Sequence, residues 1–290
     1  MPKAPKLSKV PKYNTVSGIF VLCIFLLVVL LVYYLCKPKP KSKSTKKKTT
    51  TIVIARYKED LKWTLEEPFN QFQYTVYNKG EDENFEKKNV VRIIKLKNVG
   101  RDLQTYFHHI VTHYENLSDI NIFLPGSLDL DYKKQSAKHM LNHIIKYNEA
   151  CISLPCIPYV NKLLYHYGQK TYINSSNGNA RVDVGVSPVR PFGKWYDTYF
   201  KEDLHYLSQF GIYSVSKTDI KQHEKSRYEQ ILRQLSRHIN PEEGFFVEIS
   251  MYQIFYPYNE TIVETYYPNF ISSIPSIVDK FFSFYYKNLL

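Results

Sequence analysis

The first fifty residues of the chain contain no aspartate, no glutamate and no arginine. Eleven lysines stand there alone and supply most of the formal net charge of +12. From residue 51 onward, 28 basic residues face 27 acidic ones. A part so nearly neutral lacks the broad basic face that a nucleic-acid binder needs, so no nucleic acid is expected as a partner. Cysteine is scarce too. There are four, and Cys23 and Cys36 fall inside or at the edge of an apolar run, which excludes a disulfide-stapled scaffold. Cys151 and Cys156 remain, able to pair in an oxidising lumen or to stay as buried thiols. No internal repeat of about 20 to 50 residues occurs, which excludes solenoids and propellers.

Charge is also missing from Gly18 to Cys36, "GIFVLCIFLLVVLLVYYLC". As a helix at 1.5 Å per residue this run is roughly 28 Å long, close to the hydrocarbon thickness of a bilayer. It exceeds a signal-peptide core, and no small-x-small cleavage site follows it. A retained transmembrane helix over 16–36 is therefore expected, with Tyr33 and Tyr34 at the interface. Residues 1–15 form its basic flank, and 37–50, "KPKPKSKSTKKKTT", a solvated stalk whose lysines suit anionic membrane lipid. This makes a single-pass membrane protein. Which side holds the C-terminal domain stays open: the lysine excess after the span favours the cytoplasm. Three sequons, at Asn116, Asn174 and Asn259, would be usable as glycosylation sites only in a lumen or outside the cell. The Lys-, Asn- and Tyr-rich composition fits an AT-rich genome, such as that of a large DNA virus or a protist, so a host or viral membrane is in view.

From residue 51 to 256 short β-branched runs alternate with helical stretches. Strands are expected at 51–55, 72–78, 90–96 and 120–124. Between the last two, Leu103, Tyr106, Phe107, Ile110, Val111 and Tyr114 form one continuous helical stripe. Strand, helix, strand argues for an α/β fold, a mixed and mostly parallel sheet flanked by helices. Further helices are expected at 136–148 and at 226–239, the latter opened by a Ser226–Glu229 capping box, and a strand at 210–216. The aromatic tail, 257–290, could dock on the domain, a partner or a membrane surface.

Four patterns bear chemistry. His109 and His113 share a helix face at zinc-ligand spacing, but no HExxH pattern accompanies them, and they read as boundary residues of the helix. His139, His143, Cys151 and Cys156 match a tetrahedral zinc site loosely. In "KNVGRD", Asn98 and Gly100 allow a left-handed turn where a strand ends and a helix begins. There the helix N-terminus and Arg101 favour an anion, with Asp102 in the first helical turn. "SLDLD" follows a strand directly, so Asp129 and Asp131 could share a divalent cation, Mn or Mg, that neutralises a diphosphate. Glu248, among Phe245, Phe246, Val247 and Ile249, is either a general base with a raised pKa or half of a buried ion pair.

The blocks "IVIARYKEDLKW", "VYNKG", "LKNVGRDLQTYFHHIVTHYENLSDINIFLPG", "PFGKWYDTYF", "FGIYSVSKTDIKQHEKSRYEQILRQLS" and "NPEEGFFVEISMYQIF", in that order, resemble the DUF3431 family of uncharacterised proteins. That family is in turn distantly similar to GT-A glycosyltransferases. The resemblance implies a GT-A-like fold and a membrane-anchored transferase that moves a sugar from a sugar nucleotide to a glycan or protein. Arg56, Asn98, Gly100, Arg101 and Asp102 would contact the donor, and Glu248 would be the catalytic base. The sequence departs from the family's "EEGHyfERlW" motif at Phe245, Ile249 and Met251, where His, Arg and Trp are common. A non-catalytic membrane or virion structural protein that keeps the fold is the alternative.

Overall fold

In the computed structural model the described residues are 46–154, 165–174, 180–204, 206–208 and 210–265. The apolar segment 16–36, the tail beyond 265 and Cys156 lie outside them. Among the described residues no helix is long and apolar enough to cross a membrane.

Among the described residues nine strands and seven α-helices follow one another. The strands are β1 (Thr50–Arg56), β2 (Tyr74–Asn78), β3 (Val90–Lys95), β4 (Ile120–Pro125), β5 (Cys151–Leu154), β6 (Thr171–Asn174), β7 (Ala180–Asp183), β8 (Tyr213–Ser216) and β9 (Ile262–Thr265). The helices are α1 (Arg101–Thr112), α2 (Asp131–Tyr147), α3 (Phe192–Tyr199), α4 (Lys217–Lys221), α5 (Lys225–Leu235), α6 (Glu242–Ile249) and α7 (Met251–Phe255).

The main sheet has the order β3-β2-β1-β4-β8, its first four strands parallel and β8 antiparallel to β4. Strand periodicity divides its side chains between two cores. Val53, Ala55, Tyr77 and Phe123 join one cluster with α1, α3, α5, α6 and α7. Ile52, Ile54, Tyr74, Val76, Ile122 and Leu124 join the other, with Trp63, Phe69 and the apolar face of α2. A sheet covered on both faces explains why the middles of β1 and β4, Ile52–Ala55 and Ile122–Leu124, read as apolar runs. Each fully buried Ile, Leu, Val or Phe contributes about 1.5–3 kcal/mol.

The helical stripe of 103–114 is confirmed: Leu103, Tyr106, Phe107 and Ile110 are fully buried on the sheet. Three details differ from the sequence reading. Helix α5 begins at Lys225 with Glu224 at its N-cap and no side-chain cap, so Ser226 lies inside the first turn and builds no capping box. Helix α2 starts at Asp131, five residues earlier than the apolar pattern suggested, because "DYKK" winds into its first turn. The folded part also runs past 256. β9 pairs in parallel with β5, and Asp219 accepts backbone N–H groups of Asn259, Glu260 and Thr261. At the other end Thr49 is already held by Asp119, at 2.8 Å from its N–H.

Candidate functional site

Strand order reverses between β1 and β4. The chain steps outward through β2 and β3 and then returns to the far side of β1. In parallel α/β sheets the crevice beyond the carboxyl ends of the strands, at such a switch, is where ligands bind. Here the strand ends approach closely. Ala55 O accepts the N–H of Gly126 at 2.8 Å, and Arg56 O that of Lys79 at 2.8 Å. A Cβ on Gly80 would stand 1.8 Å from Tyr57 O, so only glycine fits there.

On this edge Asp102, Arg101 and Lys133 lie within electrostatic reach of Glu248. Glu248, from α6, is half-buried and accepts the N–H of Phe210 at 2.8 Å. Burial pushes its carboxyl up, and Asp102 adds to the rise; Arg101, Lys133 and the Phe210 N–H oppose it. Phe210 and Gly211 both have left-handed backbones, φ 73° and 66°. A side chain at Gly211 would meet Asp102 Oδ2 at 2.6 Å, so glycine is what lets β8 enter beside α1. Two tyrosines close the floor. Tyr106 donates to Gly211 O at 2.8 Å, while the buried Tyr213 hydroxyl has no partner among the described residues. Burial and the nearby carboxylates push both phenols far up.

The "NVGRD" turn is built differently from the sequence reading. Gly100 is left-handed as expected, φ 63°, but its partner in that conformation is Arg101, φ 52°, and not Asn98. Two of the turn's amides are engaged, Val99 N–H by Lys97 O and Gly100 N–H by His238 O, as is the next, Leu103 N–H, by Asp102 Oδ1. What the turn presents is therefore the Arg101 guanidinium, half-exposed and set 5.5 Å from the Phe245 ring centre. Beneath it the buried Lys79 donates to Val99 O at 2.7 Å and to Arg101 O. Desolvation pushes this lysine down to about 7, against the pull of Asp102. Lys79 and Lys133 escaped the sequence analysis. The strand-end "NKG" and the lysine pair after "SLDLD" were the available signals.

Arg56 does not open onto the crevice. Its guanidinium has no exposed side-chain surface. It donates to Glu59 O, Asn78 Oδ1, Asp82 O and Asp82 Oδ1, at 2.7–2.9 Å. With its donors so engaged it clamps the β2–β3 loop. The two acids of "PEEG" are structural as well. Buried Glu242 accepts from Gln169 N, Ser187 N and Arg190, and Glu243 pairs with Arg237 at 2.8 Å. At the positions where the related motif carries Arg and Trp, Ile249 and Met251 are core residues.

Asp129 is exposed at the rim. Its carboxyl is raised by partial burial and then by Asp60, Glu59 and Glu66, with Lys134 opposing. Asp131 sits in the first turn of α2, and neither residue belongs to a three-donor cluster among the described residues. Of the sequons, Asn116 is exposed, Asn259 Nδ2 donates to Gln222 Oε1 at 3.0 Å, and Asn174 ends β6. His109 and His113 both face the Tyr77 hydroxyl, at 2.9 and 3.5 Å; His109 is buried in the core and only His113 is at its boundary.

The DUF3431 family model, described as a protein of unknown function, matches residues 52–266. No curated protein matches the chain.

Proposed function

The chain belongs to the DUF3431 family, and from that premise we propose that its folded part is a sugar-nucleotide-dependent transferase of GT-A type, tethered to a membrane by residues 16–36. The observation that carries the reading is the half-buried Glu248, its carboxyl raised, facing Asp102, Arg101 and Lys133 at the strand-order switch. A carboxylate with an elevated pKa is suited to take the proton of an acceptor hydroxyl. In this reading Glu248 removes that proton while the hydroxyl oxygen attacks the anomeric carbon. The bond from that carbon to the diphosphate breaks, and Arg101 and Lys133 meet the charge that departs.

The rim chemistry fits a hard cation, because Asp129, Asp60, Glu59 and Glu66 would otherwise repel an anionic donor. Held by Asp129 and Asp131, a manganese or magnesium ion would supply that neutralisation. Gly100 and Asp102 shape the turn, Lys79 supports it from below, and Asn98 lies at its start. Incubating the full chain with a panel of sugar nucleotides and manganese tests the proposal. Binding together with release of nucleoside diphosphate is expected, and Arg101→Ala should abolish binding. Neither binding nor hydrolysis with any donor would sink it.

A second reading, a non-catalytic membrane or virion structural protein on the same fold, draws on the engaged amides of the turn and on the Phe245 ring beside Arg101. Under it, Glu248→Ala and Asp129→Ala leave function untouched while tail truncation does not.

A further inference from the structure

At the end of α2 remote from Lys133, three metal-ligating side chains meet that come from three separate elements. Ligand atoms of His143 (α2), Cys151 (β5) and Glu264 (β9) all lie within 4.8 Å of one another. His139 stands one helical turn before His143 on the same face. Its Nε2 lies 3.1 Å from one oxygen of Glu264, and His143 Nδ1 lies 2.9 Å from the other.

The backbone explains the meeting. Asn148 closes α2 in a left-handed conformation, φ 55°, and turns the chain back so that β5 begins at Cys151. β9 then pairs with β5 in parallel with Ser153 opposite Glu264, which puts Glu264 on the face that Cys151 and Ser153 share. The position is enclosed: Cys151 is fully buried and in no disulfide, and the His143 side chain is 9% exposed. His143 Nε2 is buried without a hydrogen-bond partner among the described residues. That nitrogen is on the far edge of the ring, and it is Nδ1 that faces Glu264 and the cluster.

We propose that His143, Cys151 and Glu264 bind a Zn2+ ion, with water in the fourth position and His139 holding the second Glu264 oxygen. The thiolate and the imidazole are soft and borderline donors that select zinc over magnesium or calcium, and zinc accepts a carboxylate beside them. Binding releases the proton of the Cys151 thiol and leaves the His143 imidazole neutral. The ion ties β9, the last described strand, to α2 and β5, and so fixes where the chain leaves the folded part. The sequence pattern had named Cys156 as the fourth ligand; Glu264, 113 positions beyond Cys151, is the donor that pairing with β5 brings in. This site is independent of the transferase reading, which uses the opposite end of α2.

The test takes the purified full chain, stripped of metal, and titrates it with Zn2+ against a chromophoric chelator and separately with Co2+. Expected are one equivalent of Zn2+ per chain and a thiolate-to-cobalt charge-transfer band in the near ultraviolet. Affinity should fall by about tenfold or more in Cys151→Ser and Glu264→Gln. Cys151→Ser should lose the band, and His139→Ala should keep it with weaker binding. No uptake by the wild-type chain, a cobalt spectrum without the thiolate band, or unchanged affinity in both Cys151→Ser and Glu264→Gln would each overturn the proposal. Should a variant fail to fold by circular dichroism, the wild-type cobalt spectrum decides alone.

Discussion

Glu248 Oε1 and the backbone N–H of Phe210 are joined at 2.8 Å, so the carboxylate of α6 is fixed by the same left-handed turn that admits β8 beside α1. One oxygen is oriented by the fold, and the charge is held against burial and against Asp102.

Glu248→Gln keeps an oxygen acceptor for Phe210 and removes the proton acceptor. Donor binding should persist while nucleoside-diphosphate release falls by about 10²–10⁴-fold, the range for loss of a general base. Stability gives an independent readout. A carboxyl whose folded pKa lies above its ordinary 4.5 stabilises the fold below that pH, and this contribution is lost as pH rises through the folded value. Urea midpoints of the wild-type chain should therefore decline more steeply above pH 4.5 than those of Glu248→Gln.

His109 has the opposite sign. It is 5% exposed, and burial, then the neighbouring His113, His108 and Arg92, push it down from 6.5 to about 3. The unfolded chain takes up this proton first, so stability is present above pH 6.5 and is lost as pH falls toward 3. The loss is at most about 5 kcal/mol. His109→Gln, which can still reach the Tyr77 hydroxyl, should flatten that acid limb when unfolding is followed from pH 7 to 4.

Glu242 is fully buried, and its oxygens hold Arg190 and the N–H groups of Gln169 and Ser187. Glu242→Gln leaves the guanidinium without its counter-charge and should cost about 3 kcal/mol or more in urea unfolding. Donor binding per folded molecule should not change, which would separate this structural acid from Glu248, six residues later on the same helix.

Gly80→Ala should be severe for a steric reason. The added methyl would stand 1.8 Å from Tyr57 O, a backbone atom that cannot turn away. A loss of several kcal/mol is expected, on the order of the largest single-site effects, read as a drop in melting temperature.

The positions of the first four strands and the stripe of α1 were legible because β-branched runs mark strands, and a packed helix needs its 3.6 period. The turn at 98–102 was legible as a special backbone position, since only a few residues accept a left-handed conformation. Which residue takes it was not, because the Gly100 N–H is drawn to His238 O, 138 positions later in the chain. Arg56 was expected at the donor from the family resemblance alone, since a strand-end arginine carries no mark of where its donors will go. Asn78, Glu59 and Asp82 use them only once β1 and β2 lie side by side.

Local chemistry thus determined the elements: period, turn propensity and apolar content act over a few residues and can be read in place. Tertiary structure decided the sites. The nearness of Glu248 to Asp102, the lowered Lys79, and the meeting of His143, Cys151 and Glu264 all depend on desolvation and on distances between segments far apart in the chain, quantities that no local pattern encodes.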